Sequence, residues 1–253
     1  MILVFDIGNT RIKSGLFEDT KLMSTDIFSG ETEIKNISLQ ENVEAVCISS
    51  VSNIKTKLIA ELCNEKGIAP FIISADKPTG LKIDYDTPLT LGNDRLCSVK
   101  GALSIQSDKV PISLSDFIIT MDCGTATTIN ILKGPDAFIG GTISPGISLM
   151  FESLHTKTAA LPLRTAGALS ELIGKSTDTA IISGVINSTI GLLEKIIRYI
   201  REDLKAGEIN LYVTGGNAEA LLNHIKHPYT FEPYLVLHGA NRIYQLNREP
   251  NIN

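Results

Sequence analysis

One hairpin motif occurs twice in this chain, and the two copies lie 116 residues apart (122 − 6 = 116). The first copy reads Val4-Phe5-Asp6-Ile7-Gly8-Asn9-Thr10, and the second reads Thr120-Met121-Asp122-Cys123-Gly124-Thr125-Ala126. In each copy an apolar strand ends in Asp, turns through Gly and a polar residue, and continues into a second strand. The offset is close to half of the 253 residues. The repeat therefore predicts two related α/β domains, which we place at residues 1–115 and 116–253.

The rest of the chain alternates short apolar runs with helical patterns, as an α/β fold requires. In the first half we predict strands at 11–17, 44–49 and 70–74, a helix at 54–66 that ends at Gly67, and a helix that begins near 92–94. In the second half we predict a strand at 117–121, a second strand that follows Gly124-Thr125 and runs through 132, and two more at 138–143 and 211–214. The predicted helices there lie at 178–204, from 218 and at 239–246. Ser176 or Thr177 would cap the long helix and Gly207 would end it.

Composition excludes several classes of protein. The net charge is −5 and no run of five or six like charges occurs, so nothing predicts a nucleic-acid partner. The four cysteines are scattered, which is typical of buried thiols in a reducing compartment. We find no secretory leader, and no apolar run approaches the roughly 18 residues of a membrane span. We therefore expect a cytoplasmic protein without a membrane partner.

The Asp-x-Gly turns suit nucleotide phosphates. Glycine lets backbone N–H groups approach phosphate oxygens, whereas Asp6 would act through Mg²⁺ or water. Lys13 on the following strand could add a positive charge. A plain hairpin is the alternative interpretation of one such turn, but two copies in one chain favour phosphate binding.

Two other segments carry polar groups at the start of helices. Thr214-Gly215-Gly216 stands between a strand and a helix, where small residues could admit a nucleoside. Gly92-Asn93-Asp94-Arg95 opens a helix, and Asp94 could be a general base or only a helix cap. We expect its carboxylate to have a pKa near the usual value, because the positive end of the helix dipole favours ionisation.

Three motifs together resemble those of the superfamily of acetate and sugar kinases, heat-shock chaperones and actin. They are Asp6-Ile-Gly-Asn-Thr, Asp122-Cys-Gly-Thr and Val213-Thr-Gly-Gly. The resemblance implies duplicated ribonuclease-H-like domains with ATP in the cleft between them. Four motifs, in their order along the chain, narrow the resemblance to one family, the type III pantothenate kinases. The motifs are Gly92-Asn-Asp-Arg, Asp122-Cys-Gly-Thr-Ala-Thr-Thr, Gly140-Gly-Thr-Ile-Ser-Pro-Gly and Gly174-Lys-Ser-Thr177. Asn93 departs from the Ala that family members often carry.

This resemblance implies a role for each matching residue. The phosphate-binding strip would be Asp6, Ile7, Gly8, Asn9, Thr10, Arg11, Ile12 and Lys13, with Thr125 as a further ATP contact. The pantothenate contacts would be Tyr85, Gly92, Asn93, Asp94, Arg95 and Thr177, with Asp94 accepting the proton of the primary hydroxyl. Asp122 would hold a monovalent cation, K⁺ or NH₄⁺, beside the Mg²⁺ that accompanies ATP.

The resemblance thus predicts ATP-dependent phosphorylation of pantothenate, the first step of coenzyme A biosynthesis. Two alternatives stay open: a kinase of another small hydroxylated carboxylate, and a non-catalytic ATP-binding regulator. We also predict a homodimer, because the apolar stripe of helix 178–204 is wider than one core-facing side needs. The residues of that stripe are Ile181, Ile182, Val185, Ile186, Ile190, Leu193, Ile197 and Ile200.

Overall fold

The computed structural model describes residues 1–29, 33, 42–167 and 171–248. These residues form two compact units. Unit 1 comprises residues 1–112, 135–139 and 234 onward, and unit 2 comprises residues 113–134 and 140–233. This division differs from a single boundary after residue 115, because the last helix belongs to unit 1.

The strands are β1 (Ile2–Ile7), β2 (Ile12–Glu18), β3 (Lys21–Phe28), β4 (Ala45–Ser50), β5 (Phe71–Ile72), β6 (Lys82–Ile83), β7 (Phe117–Cys123), β8 (Ala126–Lys133), β9 (Ala137–Pro145), β10 (Ile209–Thr214) and β11 (Tyr229–Phe231). The helices are α1 (Asn53–Glu65), α2 (Asn93–Ser107), α3 (Ile147–Lys157), α4 (Thr177–Glu202), α5 (Glu219–Leu222) and α6 (Leu235–Arg248), with a 3₁₀ turn at Pro88–Thr90.

The two sheets repeat one strand order. In unit 1 the order is β3-β2-β1-β4-β5, and the other sheet runs β9-β8-β7-β10-β11. In each, the first strand pairs antiparallel with the second and parallel with the fourth. The short β6 pairs in parallel with Ala137 and Phe138, the part of β9 that belongs to unit 1. The α/β class and the duplicated domain are therefore confirmed.

The core of unit 1 joins residues far apart in sequence. β1, β2 and β4 contribute Val4, Phe17 and Cys47, and α6 contributes Val236, Leu237, Ala240 and Ile243. α6 packs closely on α2, since a Cβ on Gly239 would overlap the Cys97 carbonyl and lie 2.8 Å from the Gly101 nitrogen. Two facing glycines therefore let these helix backbones approach.

The long helix α4 begins as the sequence predicts. Ser176 is the N-cap, and its hydroxyl accepts the Thr179 N–H at 3.2 Å. The helix ends at Glu202 with Asp203 as C-cap, so the predicted stop at Gly207 is wrong. Its length and mean hydropathy of 1.5 also satisfy a criterion for a membrane span. A core helix of a soluble protein meets the same criterion, and most of the predicted apolar stripe is buried in unit 2.

Candidate active site

The first Asp-x-Gly turn joins β1 to β2 in unit 1. Asp6 stands opposite Lys13 on β2 and Ser49 on β4. The turn closes where the Gly8 N–H donates to the Arg11 carbonyl at 3.0 Å. This arrangement places a carboxylate, an ammonium group and a glycine backbone within one hairpin.

The predicted strip of residues 6–13 divides by exposure. Asn9, Thr10 and Arg11 are exposed at the turn. Ile7 and Ile12 pair with each other beneath it, and each side chain is 1% exposed. Any contact of these two isoleucines with a ligand is therefore made by their backbones, because their side chains belong to the core.

Helix α2 carries Asp94 in its first turn. Gly92 is the N-cap, and Asp94 Oδ1 accepts the backbone N–H of Arg95 at 2.9 Å. Burial raises the pKa of Asp94 above its ordinary value, opposed only in part by the Arg95 N–H and guanidinium. The expectation of a pKa near the usual value is thus wrong. Desolvation outweighs the hydrogen bonds and the Arg95 charge that favour the ionised carboxyl, and the sequence pattern could not indicate this burial.

Arg95 is 5% exposed and lies beside a pair of aromatic rings of unit 1 that contact each other. Its Cζ is 5.6 Å from the Tyr85 ring centroid and 5.7 Å from that of Phe138. Its Nη1 donates to the Tyr85 hydroxyl at 3.4 Å, a long hydrogen bond. The two rings stack edge to face with centroids 6.1 Å apart. The result is a guanidinium fixed in an aromatic enclosure, suited to a planar carboxylate.

Asn93 has a structural contact instead of an open side chain. Its Nδ2 donates to the Ile73 carbonyl at 2.8 Å and lies 3.5 Å from that of Ser50. The amide thus ties the start of α2 to the ends of two strands. Asn93, where family members often carry Ala, therefore has a structural partner in unit 1.

The buried thiol of Cys97 belongs to the core of unit 1. Burial raises the pKa of Cys97 well above its ordinary value, and the carboxylates of Asp6 and Asp94 raise it further. Asp6 on β1 and Asp94 on α2 thus both influence the charge of the same side chain of unit 1.

The second Asp-x-Gly turn lies in unit 2. Asp122 on β7 stands opposite Thr128 on β8 and Thr214 on β10. Gly215 has a φ of +99°, and a Cβ there would be 2.5 Å from Asp122 Oδ1. Only glycine lets the chain bend at this φ and pass so close to the carboxylate.

Two loops hold this second turn in place. The Asn217 side chain donates to the Gly124 carbonyl at 3.1 Å, and its backbone N–H donates to that of Cys123 at 2.9 Å. From the other loop, the Gly146 N–H donates to the Thr125 carbonyl at 2.9 Å. Thr125 itself is exposed, as is Thr177 at the first position of α4.

The groups that pair with Asp122 carry oxygen atoms. Among the described ranges, no group of three or more His, Cys, Asp or Glu side chains could hold a metal ion. Asp122 is instead a single carboxylate that stands opposite Thr128 of β8 and Thr214 of β10. Oxygen donors of this kind suit hard cations rather than soft transition metals.

Three residues that the motifs did not indicate contact the predicted site residues: Lys55, which donates to the Gly8 and Asn9 carbonyls, Phe138 beside Arg95, and Asn217 beside Gly124. Lys55 stands in the first turn of α1, where a positive charge opposes the helix dipole, but this unfavourable position does not identify its partner. Asn217 directly follows the Gly215-Gly216 pair. Phe138 gave no signal, because an aromatic residue in a strand is ordinary.

Solved structures share this fold. A Campylobacter jejuni protein described as a Baf-family transcriptional activator aligns with a TM-score of 0.62 at 22% identity, over 97% of this chain and 98% of that one. A Listeria monocytogenes protein described as an N-acetylmannosamine kinase aligns with a TM-score of 0.52 at 14% identity, over 98% and 99%. Both alignments place this chain in one fold class with these proteins.

Comparison of the amino-acid sequence with known families identifies one family within this fold class. The family model for type III pantothenate kinase matches residues 2–199. A type III pantothenate kinase from Christiangramia forsetii is 32% identical over 251 residues, covering 98% of this chain and 99% of the relative. Another from Flavobacterium psychrophilum is 31% identical over 252 residues, covering 98% and 100%. The chain belongs to the type III pantothenate kinase family.

Proposed function

We propose that this protein transfers the γ-phosphoryl group of ATP to the primary hydroxyl of pantothenate, the first step of coenzyme A biosynthesis. The observation that carries the proposal is the pairing of Asp94 with Arg95 at the start of α2. One residue can accept a proton, while its neighbour can bind a carboxylate within an aromatic enclosure. Pantothenate carries both a hydroxyl and a carboxylate.

Asp94 is the proton acceptor in this proposal. Its raised pKa makes the ionised carboxylate a stronger base than an exposed aspartate. The hydrogen bond from the Arg95 N–H fixes the orientation of that carboxylate. Because phosphoryl transfer depends chiefly on positioning and charge stabilisation, a fixed base is sufficient to remove the hydroxyl proton.

Arg95 and Tyr85 bind the far end of the substrate. The guanidinium is held against two rings, so a carboxylate meets donors that are already oriented. Binding the carboxylate here directs the hydroxyl toward Asp94. Gly92 and Asn93 contribute by fixing the start of the helix, and Thr177 adds a further contact to pantothenate.

The strip from Asp6 to Lys13 binds the phosphates of ATP, with Asp6 acting on Mg²⁺ and Lys13 on the phosphate oxygens. Thr125 adds a contact in unit 2, and Asp122 with Thr128 and Thr214 holds K⁺ or NH₄⁺. Such cations neutralise negative charge that would otherwise repel the nucleotide.

We further propose a cytoplasmic homodimer. Its interface is not the predicted stripe of α4, because seven of those eight side chains, all except Ile182, are buried in unit 2 itself. Support comes instead from exposed apolar side chains elsewhere in that unit. Ile143, Leu172 and Ile173 are 64%, 72% and 76% exposed. Light scattering at micromolar concentration should give twice the monomer mass, and a monomer would refute the dimer.

The decisive experiment measures ADP formation by the purified protein with ATP, Mg²⁺ and K⁺. Adding pantothenate should start the reaction, and mass spectrometry should detect 4′-phosphopantothenate. A panel of other hydroxylated carboxylates tests the substrate. Faster turnover of another acceptor would reassign the substrate, and ATP binding without any turnover would favour a regulator.

A further inference from the structure

A lysine of α1 contacts the turn between β1 and β2. β4 runs parallel to β1, and α1 begins shortly after β4 ends, so its first turn lies beside residues 8–11. Lys55 Nζ donates to the Gly8 carbonyl at 3.0 Å and to the Asn9 carbonyl at 2.6 Å. All three residues belong to unit 1. Since a cation in a first helical turn is unfavourable, these two contacts account for the position of Lys55 better than helix stability does.

The two contacts fix the direction of two peptide groups. In a trans peptide the C=O and N–H bonds point in opposite directions, and the described residues contain no cis peptide. The Gly8 carbonyl shares its peptide with the Asn9 N–H, and the Asn9 carbonyl shares its peptide with the Thr10 N–H. When both carbonyls face Lys55, both N–H groups face the other side of the turn. Successive N–H groups on one side form a concavity for anions.

We propose that Lys55 is a positioning residue that holds the turn at residues 8–11 in its phosphate-binding conformation. Without it, the carbonyls of Gly8 and Asn9 are free to rotate toward the nucleotide, where they would repel phosphate oxygens. Both partners of Lys55 are neutral, so its positive charge is retained beside the turn and attracts the anionic ligand.

The inference rests on the proposed nucleotide site, but not on the identity of the acceptor. Its test is therefore direct binding of Mg²⁺ with a non-hydrolysable ATP analogue, measured by calorimetry without pantothenate. Lys55→Met should raise the Kd for the analogue about 10- to 100-fold, the range for a lost hydrogen bond to a charged group. Lys55→Arg should restore part of the affinity, because a guanidinium can also bridge two carbonyls.

Lys57 provides the matched control. It lies on the same helix, its side chain is 80% exposed, and it lies 3.9 Å from Glu61 one turn away. Lys57→Met removes the same charge from α1 and should leave the Kd within about two-fold of wild type, as expected for a surface ion pair. A similar loss in both variants would show a general charge effect and would overturn the positioning role.

Steady-state kinetics separates positioning from damage to the fold. Lys55→Met should raise the KM for ATP and leave the KM for pantothenate within about two-fold. Equal loss for both substrates, with a lower Tm, would overturn the inference. Unchanged nucleotide affinity would also overturn it. If the wild-type protein binds nucleotide but does not phosphorylate pantothenate, only the proposed acceptor fails, whereas absence of nucleotide binding would refute both.

Discussion

Replacing Asp94 with Asn separates catalysis from stability, because activity should fall by orders of magnitude while the free energy of unfolding should hardly change. The amide keeps the size of the side chain and can still accept the Arg95 N–H that Asp94 accepts at 2.9 Å. It cannot accept a proton. If Asp94 is the general base, kcat should fall about 10²–10⁴-fold, which corresponds to about 3–5 kcal/mol of transition-state stabilisation.

The stability of the same variant follows from the direction of the pKa shift. Burial raises the pKa of Asp94, so folding favours the protonated carboxyl over the ionised one. At neutral pH the ionised group therefore costs stability, and this cost disappears as the pH falls below the ordinary pKa of aspartate. The neutral amide avoids the cost but forms a hydrogen bond weaker by about 1 kcal/mol. The net change in unfolding free energy at pH 7 should lie within about 1 kcal/mol of zero.

The assay is kcat by coupled ADP detection, with thermal unfolding measured on the same preparation at pH 5 and pH 7. Wild-type activity should fall as the pH drops through the raised pKa of Asp94, and the residual rate of Asp94→Asn should lack that limb. Near-wild-type activity in the variant would refute the base. A Tm loss proportional to the loss of activity would refute the argument that the carboxyl is buried at a cost.

Three further predictions concern the other parts of the site and fold. Arg95→Lys should raise the KM for pantothenate about 10- to 100-fold and leave the KM for ATP unchanged, since an ammonium cannot make the two parallel hydrogen bonds of a planar guanidinium. Arg201→Lys on α4 is the control and should change neither KM. Replacing Na⁺ with K⁺ should raise the wild-type rate, and Asp122→Asn should bring the ratio of the two rates to about one; equal wild-type rates would remove the cation. Gly239→Ala should destabilise the fold by about 1–3 kcal/mol and lower the Tm by about 4–10 °C, because the new Cβ would overlap the Cys97 carbonyl. An unchanged Tm would show that α2 and α6 can move apart without cost.

Local patterns predicted the elements that depend on local physics. The repeated Asp-x-Gly hairpin, the start of α2 near Asp94 and the Ser176 cap each depend on a few adjacent residues, and the structure has all three. The repeat predicted a duplicated domain, and the structure adds that the two sheets have the same strand order.

Features that depend on tertiary contacts were not predictable. β3 was missed because its residues are mostly exposed or half-buried and show no apolar alternation. The pKa of Asp94 depends on burial by distant elements. The role of Lys55 required knowing that α1 lies beside the first turn. The sequence places these two segments more than 40 residues apart.

α6 is the last helix of the chain but belongs to unit 1, and this determines when unit 1 can finish folding during synthesis. α6 supplies Val236, Leu237, Ala240 and Ile243 to a core whose other members lie before residue 112. The intervening 122 residues, 113–234, take about 6–25 s to synthesise at typical elongation rates. During that interval the side of α2 that α6 covers is open to solvent and chaperones. Unit 1 therefore completes its core only after all of unit 2 has been synthesised. A chain released before α6 is made would lack the helix that packs on α2, which bears Asp94.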